Sequence, residues 1–364
     1  MAVLGGGQLG RMLGLAGIPL GLRFRFLDPS PEAPAGAVGG LVVGTYDDPV
    51  ALEELARGAD VVTYEFENVP VASARALAER APVLPPPGAL EAAQDRLAER
   101  RLFERLGIPV PRYVAVDREA DLPGAIEAVG LPAVLKARRL GYDGKGQAVV
   151  RSPDDAGPAW ETVGRAPSIL EALVPFEREL SVLAVRGRDG DVRIYPLVEN
   201  LHRGGILRVS RAPAPGITDG VREAASSYVR RALERLGYVG VLAIELFHAG
   251  GELLANEMAP RVHNSGHWTI EGAATSQFEN HLRAVVGLPL GEVEARGLAA
   301  MVNLIGRVPD PARILAVPGA HLHLYGKAPR PGRKLGHVTV LADDPGTLEA
   351  RLSDVLRAVD GEGG

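Results

Sequence analysis

The first eighty residues of the chain alternate short apolar segments with segments of helical character. Strands are predicted at residues 2–4, 24–27, 41–43 and 60–64, and helices at residues 50–56 and 71–80. This alternation is typical of an α/β protein with a doubly wound parallel sheet. Ligands of such sheets bind beyond the carboxyl ends of the strands. Gln8, Asp47 and Glu67 each follow a predicted strand, and we therefore expect them near a binding site.

The turn after the first predicted strand is rich in glycine. Gly5, Gly7 and Gly10 have the spacing G-x-G-x-x-G, and Asp28 ends the second predicted strand. In outline this is the fingerprint of a dinucleotide site, in which a helix N-terminus faces a pyrophosphate. The same glycines also suit a turn that faces some other anion. These residues alone leave open an NAD(P)-binding oxidoreductase or a regulatory binding module.

The pattern changes after residue 84. Residues 85–88 (PPPG) predict a linker, and a single helix is predicted over residues 90–106, closed by Gly107. Further strands are predicted at residues 133–137, 148–150, 180–185, 193–197, 240–247, 253–256, 300–305, 321–324 and 337–341. Two further helices are predicted over residues 221–236 and 345–358.

Arginine greatly outnumbers lysine among the basic residues of the chain. Of 40 basic residues only four are lysine: Lys136, Lys145, Lys327 and Lys334. Lysine is a compact point charge, whereas arginine is a wide planar fork. Either chance left these four lysines, or each occupies a position where arginine does not serve. We expect the second, and therefore functional roles at these positions.

The overall charge and the missing residue types exclude several kinds of protein. A net charge of −5 provides no electrostatic basis for binding nucleic acid or a membrane surface. Cysteine is absent, which excludes disulfides, thiolate nucleophiles and cysteine-bound metals. The sequence has no run of about 18 apolar residues and no secretion signal. We expect a cytoplasmic protein with neither nucleic acid nor membrane as a partner.

A lysine and a glycine-rich segment follow one another in the middle of the chain. Lys136 ends a predicted strand, and residues 141–147 (GYDGKGQ) contain three glycines and Lys145. Such a hairpin lets backbone amides approach phosphate oxygens. It is not a P-loop, because neither Ser nor Thr follows Lys145. The alternative is an ordinary glycine hairpin.

Two carboxylates suggest a metal site. Glu245 and Glu257 each come at the end of an apolar predicted strand, where an unpaired charge is costly. Mg²⁺ is commonly held by one or two carboxylates together with phosphate oxygens of a substrate. The alternative is a pair of solvated edge positions.

Two further segments concentrate polar side chains. Residues 256–267 (NEMAPRVHNSGH) include Arg261, which could clamp a small planar oxyanion. A second segment, residues 325–337, contains five basic groups and predicts an anion site: Lys327, Arg330, Arg333, Lys334 and His337. The alternatives are a polar surface loop for the first segment and a solvated basic hairpin for the second.

Together these segments resemble the ATP-grasp superfamily and, within it, the 5-(carboxyamino)imidazole ribonucleotide synthetase family. The matching motifs are residues 5–12 (GGGQLGRM), 63–70 (TYEFENVP), 94–96 (QDR), 141–147 (GYDGKGQ), 177–182 (ERELSV), 199–207 (ENLHRGGIL), 256–267 (NEMAPRVHNSGH) and 332–337 (GRKLGH). The resemblance implies an ATP-grasp fold in three parts. These are a Rossmann-like (pre-ATP-grasp) domain with a parallel sheet at 1–88, an ATP-grasp domain at 89–290 and a small β-rich domain at 291–364. The middle domain would have two subdomains and a lid at about residues 139–147.

The resemblance also implies an activity. Members of this family carboxylate 5-aminoimidazole ribonucleotide with ATP and bicarbonate, through carboxyphosphate, and release ADP and phosphate in purine biosynthesis. The implied cofactors are ATP and Mg²⁺, with Mn²⁺ as a possible substitute. A homodimer is implied, whose product passes to the downstream mutase of the pathway. The nearest rival within the superfamily is a formate-dependent ribotide transformylase, which also makes an acyl phosphate.

Site residues follow from the resemblance position by position. The implied nucleotide contacts are Arg96, Lys136, Gly141, Tyr142, Asp143, Gly144, Lys145, Gly146, Gln147, Glu171, Ala172, Leu173, Val174, Glu179, His202, Asn256 and Glu257. The implied metal ligands are Glu245 and Glu257. The implied bicarbonate and carboxyphosphate pocket, with the lid residue that orients the amine, is Arg261, His263, Asn264 and Asp143. The implied ribonucleotide contacts are Gln8, Glu67, Tyr142, Asp143, Lys145, Lys327, Arg333 and Lys334.

Two points stay open at the level of the sequence. The superfamily often has an asparagine two residues after the second metal carboxylate, where this chain has Ala259. The metal would then have two protein carboxylates and water as ligands. The general base is either His263 or the phosphate itself.

Overall fold

The N-terminal part of the chain is a parallel α/β layer. The computed structural model describes residues 1–141 and 144–360. Four strands, β1 (Ala2–Leu4), β2 (Arg25–Asp28), β3 (Gly40–Val43) and β4 (Val62–Tyr64), form a parallel sheet in the order β3-β2-β1-β4. Helices α1 (Gln8–Gly17), α2 (Pro49–Ala56) and α3 (Val71–Ala78) accompany them. The predicted parallel sheet is confirmed.

The single helix predicted over residues 90–106 is wrong. Two helices occupy this region, α4 (Pro87–Gln94) and α5 (Arg96–Arg105), so the predicted linker ends inside α4. Asp95 between them has extended backbone angles, and its carboxylate accepts the N–H groups of Leu97 and Ala98. This side chain caps α5 and interrupts the helix. Its other partners are the guanidinium groups of Arg138 and Arg139.

A small antiparallel sheet follows in the chain. It consists of β5 (Tyr113–Val116), β6 (Ala133–Ala137), β7 (Gln147–Val150) and β8 (Ser168–Ala172), in the order β5-β8-β6-β7. Helices α6 (Leu122–Val129) and α7 (Ala156–Thr162) cover one face with apolar side chains. Side chains alternate along a strand. Leu135 therefore faces this core, while Val134 and Lys136 face the opposite side, where a large cavity lies.

A large antiparallel sheet contains the rest of the strands. These are β9 (Arg178–Arg186), β10 (Val192–Ile194), β11 (Val198–Arg203), β12 (Ile206–Ala212), β13 (Gly240–Ala249), β14 (Glu252–Ala259), β15 (Leu298–Ile305), β16 (Ala320–Leu324) and β17 (Lys334–Ala342). The order is β14-β13-β9-β11-β12-β15-β17-β16, with β10 paired to β9. Because β15 pairs with β12, the strands after residue 290 continue the sheet that precedes them. The domain division at residue 290 stays a prediction.

Helices cover both faces of the large sheet. They are α8 (Asp219–Arg235), α9 (Thr269–Gly272), α10 (Gln277–Val286), α11 (Pro311–Leu315) and α12 (Pro345–Asp360). Along β13, Leu242 and Ile244 pack toward α8, whereas Val241 and Ala243 pack toward α10. Helix α1 shares the α10 core, and this shared core fixes the N-terminal layer against the large sheet. Within the described part of the chain, no helix is both long enough and apolar enough to cross a membrane.

Candidate active site

A cavity of about 1010 Å³ lies where the three sheets meet. Ligand sites in proteins usually have volumes of about 300–1,000 Å³. The described residues predicted for the site that line the cavity are Gln8, Glu67, Arg96, Lys136, Gly141, Gly144, Lys145, Gln147, Leu173, Glu179, His202, Glu245, Asn256, Glu257, Arg261, His263, Asn264, Lys327, Arg333 and Lys334. All four lysines of the chain are among them.

Some predicted residues lie elsewhere. Gly146, Glu171, Ala172 and Val174 are not part of the cavity wall, and neither is Asp47. Tyr142 and Asp143, predicted for the lid and the ribonucleotide site, lie outside the described residues.

The glycine turn of the N-terminal layer already holds an anion. The carboxylate of Glu65 accepts the N–H of Gly7 at 2.7 Å and the N–H of Gly10 at 2.9 Å. Asp28 accepts the N–H of Gly6 at 2.9 Å and the hydroxyl of Tyr46 at 3.1 Å. A side chain of the protein therefore occupies the place that a pyrophosphate would take. The dinucleotide interpretation of this turn is wrong.

The end of the cavity that is predicted to bind the nucleotide is built around Lys136. Its Nζ lies 2.6 Å from a carboxylate oxygen of Glu171 and 3.4 Å from Oδ1 of Asn256. Burial alone would raise the pKa of Glu171, but Lys136 and Arg100 outweigh it and lower that pKa to about 2. The side chain of Glu171 is thus engaged in ion pairs in the protein interior. Of the segment predicted to meet adenine, only Leu173 reaches the cavity wall.

An aromatic pair and a histidine–carboxylate pair line the same end. The rings of Phe176 and Phe247 stack with centroids 4.8 Å apart, and both line the cavity. Nδ1 of His202 lies 2.8 Å from a carboxylate oxygen of Glu179. Burial opposes protonation of His202, but the hydrogen bond to Glu179 and the nearby carboxylates raise its pKa. This end combines an apolar wall, suited to a base, with a carboxylate, suited to sugar hydroxyls.

Gly144, in the segment predicted to be the lid, lies against the turn of the β11–β12 hairpin. A Cβ on Gly144 would come within 3.0 Å of the Cα of Gly205 and 3.1 Å of the carbonyl oxygen of Gly204. Gly204 and Gly205 both have positive φ angles, 58° and 77°, which side chains rarely adopt. Gly144 can therefore approach the hairpin turn this closely only because these positions are glycine.

Helix α5 contributes two buried residues that sequence reasoning missed. The side chain of Arg100 has no solvent exposure, and it pairs with Glu99 at 3.1 Å and with Glu171. Glu99 in turn accepts the N–H of Met258 at 2.7 Å. From the same helix, Arg96 contacts Glu257 at 3.1 Å. One helix face thus links the strand of Lys136 to the strand of Glu257, and only the three-dimensional arrangement reveals this.

Glu245 and Glu257 form the predicted pair of carboxylates. They lie opposite each other in the register of β13 and β14, within these strands and not at their ends as predicted. Burial and the charge of Glu257 raise the pKa of Glu245 to about 7. Two carboxylates in this position suit a divalent cation, which would offset their repulsion. No group of three or more His, Cys, Asp or Glu among the described residues is arranged to hold a metal ion.

The predicted oxyanion pocket adjoins these carboxylates. Nε2 of His263 lies 3.5 Å from Oε1 of Glu245, and Arg261 donates to Glu67. Burial and the charges of Arg261 and Lys334 lower the pKa of His263 to about 3, so its ring is neutral at pH 7. Both amide atoms of Asn264 are buried and have no hydrogen-bond partner among the described residues.

A glutamine outside the predicted site positions His263. The side chain of Gln277 accepts the N–H of His263 at 2.9 Å and donates to its carbonyl oxygen at 2.7 Å. Gln277 is fully buried at the start of α10. The one feature of the sequence that could have indicated Gln277 is its residue type, because the chain has only four glutamines.

The basic segment between β16 and β17 closes the far end of the cavity. Nζ of Lys327 donates to Oε1 of Gln8 at 2.8 Å, which joins this segment to the glycine turn. Burial and the charge of Arg333 lower the pKa of Lys327 to about 8. Lys327, Arg330, Arg333 and Lys334 all line the cavity. Such a concentration of cations favours an anionic ligand group.

Comparison with known proteins agrees with this geometry. Three family models match the chain: a ribonucleotide synthetase preATP-grasp domain at residues 1–94, an ATP-grasp domain at 101–278 and a phosphoribosylaminoimidazole carboxylase C-terminal domain at 299–351. A similar curated protein is the N5-carboxyaminoimidazole ribonucleotide synthase of Pseudomonas aeruginosa. It is 53% identical over 360 residues, which cover 99% of each chain. The protein of that name from Brucella melitensis is 50% identical, over 93% of this chain and 95% of the relative.

Solved structures show the same similarity. The N5-carboxyaminoimidazole ribonucleotide synthetase of Thermus thermophilus is 59% identical with a TM-score of 0.95, covering 100% of this chain and 99% of that one. An N5-carboxyaminoimidazole synthase from Aspergillus clavatus was solved with ADP and 5-aminoimidazole ribonucleotide. It is 34% identical with a TM-score of 0.92, covering 98% of this chain and 97% of that one.

Proposed function

The chain belongs to the N5-carboxyaminoimidazole ribonucleotide synthase family, and on that premise we propose which of its residues perform the reaction. It is an ATP-dependent ligase of purine biosynthesis with an ATP-grasp fold. The proposed reaction joins bicarbonate to the amine of 5-aminoimidazole ribonucleotide while ATP is split to ADP and phosphate. The observation that carries the assignment is the contact between His263 and Glu245, which joins the oxyanion pocket to the carboxylate pair.

ATP binds at the end of the cavity that contains Lys136. The base packs against the apolar wall near Phe176 and Phe247, and Glu179 accepts the ribose hydroxyls. Lys136 and Arg96 contact the phosphates. Both cations are already held in place by carboxylates, Lys136 by Glu171 and Arg96 by Glu257. Preorganised charges of this kind provide much of the rate enhancement in phosphoryl transfer.

Glu245 and Glu257 are the proposed ligands of Mg²⁺, or of Mn²⁺ in its place. The donor set fits, because the two carboxylates lie opposite each other in register, where a cation would offset their repulsion, and because both line the cavity beside Lys136. When bound, the metal neutralises negative charge on the phosphates of ATP. Ala259 provides no amide oxygen, so water would have to supply the remaining ligands.

The first step makes carboxyphosphate. An oxygen of bicarbonate attacks the γ-phosphorus of ATP, and the bond from that phosphorus to the bridging oxygen of ADP breaks. Arg261, fixed by Glu67, binds the planar anion, and the unpartnered amide of Asn264 donates to it. A neutral His263 leaves the pocket with one cation fewer.

The second step forms the carbon–nitrogen bond. The amine of the ribonucleotide attacks the carboxyl carbon of carboxyphosphate, or CO₂ released from it, and phosphate departs with the bonding electrons. The amine proton passes to His263 or to the phosphate. Lys327, Arg333 and Lys334 hold the phosphate of the ribonucleotide, with Gln8 and Glu67 beside it. Tyr142, Asp143 and Lys145 of the lid complete this site by resemblance to the family.

The test is ADP release in four mixtures, with and without ribonucleotide in bicarbonate-depleted and bicarbonate-replete buffer. We expect the full rate only when both substrates are present. Formate in place of bicarbonate should not support the reaction. A full rate with formate would favour the transformylase instead, and a full rate without ribonucleotide would exclude the carboxylation. The implied homodimer, cytoplasmic location and downstream mutase stay predictions.

A further inference from the structure

Glu65 is a buried carboxylate at the cavity wall that the proposed mechanism does not use. It follows β4 directly, and only 7% of its surface is exposed. Its two oxygens accept the N–H groups of Gly7 and Gly10, on either side of the first residue of α1. Burial raises the pKa of Glu65, and the two backbone donors oppose that change.

The glycine turn is shaped around this carboxylate. Gly5 has a φ angle of +102°, and a Cβ at this position would overlap the Glu65 side chain. A Cβ on Gly7 would lie 2.5 Å from Oε1 of Glu65. The turn can approach Glu65 this closely only because Gly5 and Gly7 have no side chains. It follows that Glu65 fixes the backbone of the turn in one conformation.

The residue held inside the turn reaches the ribonucleotide end of the cavity. Gln8 lies between Gly7 and Gly10, and its Oε1 accepts a hydrogen bond of 2.8 Å from Nζ of Lys327. Gln8, Glu65 and Lys327 all line the cavity. A continuous set of hydrogen bonds therefore runs from Glu65 through the turn and Gln8 to the basic segment before β17.

We propose that Glu65 is a positioning residue for the ribonucleotide: it takes the place of a bound phosphate in the glycine turn and holds Gln8 where it can orient Lys327. The proposal rests on the assignment of Gln8 and Lys327 to the ribonucleotide site. Glu65 itself does not react. Its loss should weaken ribonucleotide binding and leave ATP binding unchanged, because Glu65 bonds to Gly7 and Gly10, whereas Lys136 is held by Glu171 and Asn256.

Two substitutions at Glu65 test this role. Glu65→Gln keeps the shape of the side chain but turns one acceptor into a donor facing a backbone N–H. We expect the KM for the ribonucleotide to rise about tenfold, as for the loss of one charge-assisted hydrogen bond, with the KM for ATP unchanged. Glu65→Ala should raise the same KM, and acetate at constant ionic strength should partly restore it by entering the turn.

Asp28→Asn is the matched control. Asp28 accepts the N–H of Gly6 in the same turn at 2.9 Å, yet it is not part of the cavity wall. This variant should leave the KM for the ribonucleotide unchanged. An equal rise in Asp28→Asn and Glu65→Gln would mean that any loosening of the turn has the same effect, and would overturn the proposal.

Other outcomes are equally decisive. An unchanged KM for the ribonucleotide in Glu65→Gln, or parallel rises in both KM values, contradicts the positioning role. So does a Glu65→Ala variant that folds, as judged by thermal unfolding, but does not respond to acetate. If Glu65→Ala does not fold, the Glu65→Gln result decides. Failure of the proposed function is distinct, because the unmodified protein would then show no bicarbonate-dependent ADP release.

Discussion

Lys136 provides the sharpest test of the nucleotide site, because one substitution can remove its charge and another can keep the charge while changing its shape. Lys136→Met removes the charge, whereas Lys136→Arg keeps the charge and replaces a compact ammonium by a wide fork. In the structure the Lys136 side chain is only 10% exposed, and Nζ lies 2.6 Å from Glu171 and 3.4 Å from Asn256. A guanidinium does not fit this position without displacing one of these neighbours.

The magnitude follows from the role of a preorganised charge. Removing one such donor from a transition state costs about 10²–10³ in kcat. We therefore expect Lys136→Met to lose about 300-fold and Lys136→Arg about 100-fold, which is about 2.7 kcal/mol. The fold should survive in both variants, because Arg100 still neutralises Glu171 after the change. We expect the free energy of unfolding to fall by about 1–3 kcal/mol in Lys136→Met.

The assay is ADP release with saturating ribonucleotide and bicarbonate, measured beside urea unfolding. Arg222→Lys is the control for exchange between the two basic residues. The side chain of Arg222 is 60% exposed and pairs with Asp219 within α8. This control should keep the full kcat.

Two results would refute the reasoning. If Lys136→Arg kept its kcat within about twofold of the unmodified protein, the site would not need a compact charge, and the significance given to the lysines would be lost. If Lys136→Met also kept it, Lys136 would not contact the transferring phosphoryl group at all.

Two further predictions concern residues around the same cavity. Arg100→Met leaves Glu99 and Glu171 without their shared cation, so we expect urea unfolding to show a loss of about 3–5 kcal/mol and a higher KM for ATP. A loss below about 1 kcal/mol would contradict the structural role of this ion cluster. Lys327 is protonated below its pKa of about 8, so the KM for the ribonucleotide should rise as the pH increases through about 8. Lys327→Arg should abolish this pH dependence because arginine stays charged, and an unchanged pH profile in that variant would assign the titration to another group.

The parallel sheet and the carboxylate pair could be predicted because their signals are local. The apolar segments before Gly5 and Asp28 and their spacing are sufficient to define β1 and β2. Glu245 and Glu257 each interrupt an apolar run, and in such a run a charge is costly unless it is paired. The structure places both within their strands, because β13 continues to Ala249 and β14 continues to Ala259.

The break at Asp95 could not be predicted in the same way. Residues 90–106 have a continuous helical pattern, and nothing within that window opposes a single helix. Asp95 caps α5 while its carboxylate also binds Arg138, which is 43 residues away in the chain. The competing interaction is tertiary, and it outweighs local helix propensity. Arg100 was missed for a related reason, because its partner Glu171 lies on β8, 71 residues further along the chain.

The glycine turn shows where a motif alone is misleading. The spacing of Gly5, Gly7 and Gly10 describes a backbone that binds an anion, but it does not say which anion. In this fold the anion is the Glu65 side chain, 55 residues beyond Gly10. Glu65 and Glu67 are two residues apart, and the sequence alone does not distinguish the one that binds the turn from the one that binds Arg261.

Lysine and glutamine are rare in this chain, and both residue types are concentrated around the cavity. All four lysines line the cavity, whereas only five arginines do: Arg96, Arg138, Arg261, Arg330 and Arg333. Chance placement would distribute both residue types alike, so the cavity retains lysine where the rest of the chain has arginine. Glutamine follows the same rule: three of the four line the cavity, and the fourth, Gln277, holds both backbone groups of His263. In a chain whose composition is this biased, the residue types that the bias disfavours mark the site, and the same reasoning applied to the sequence alone would have singled out Gln277.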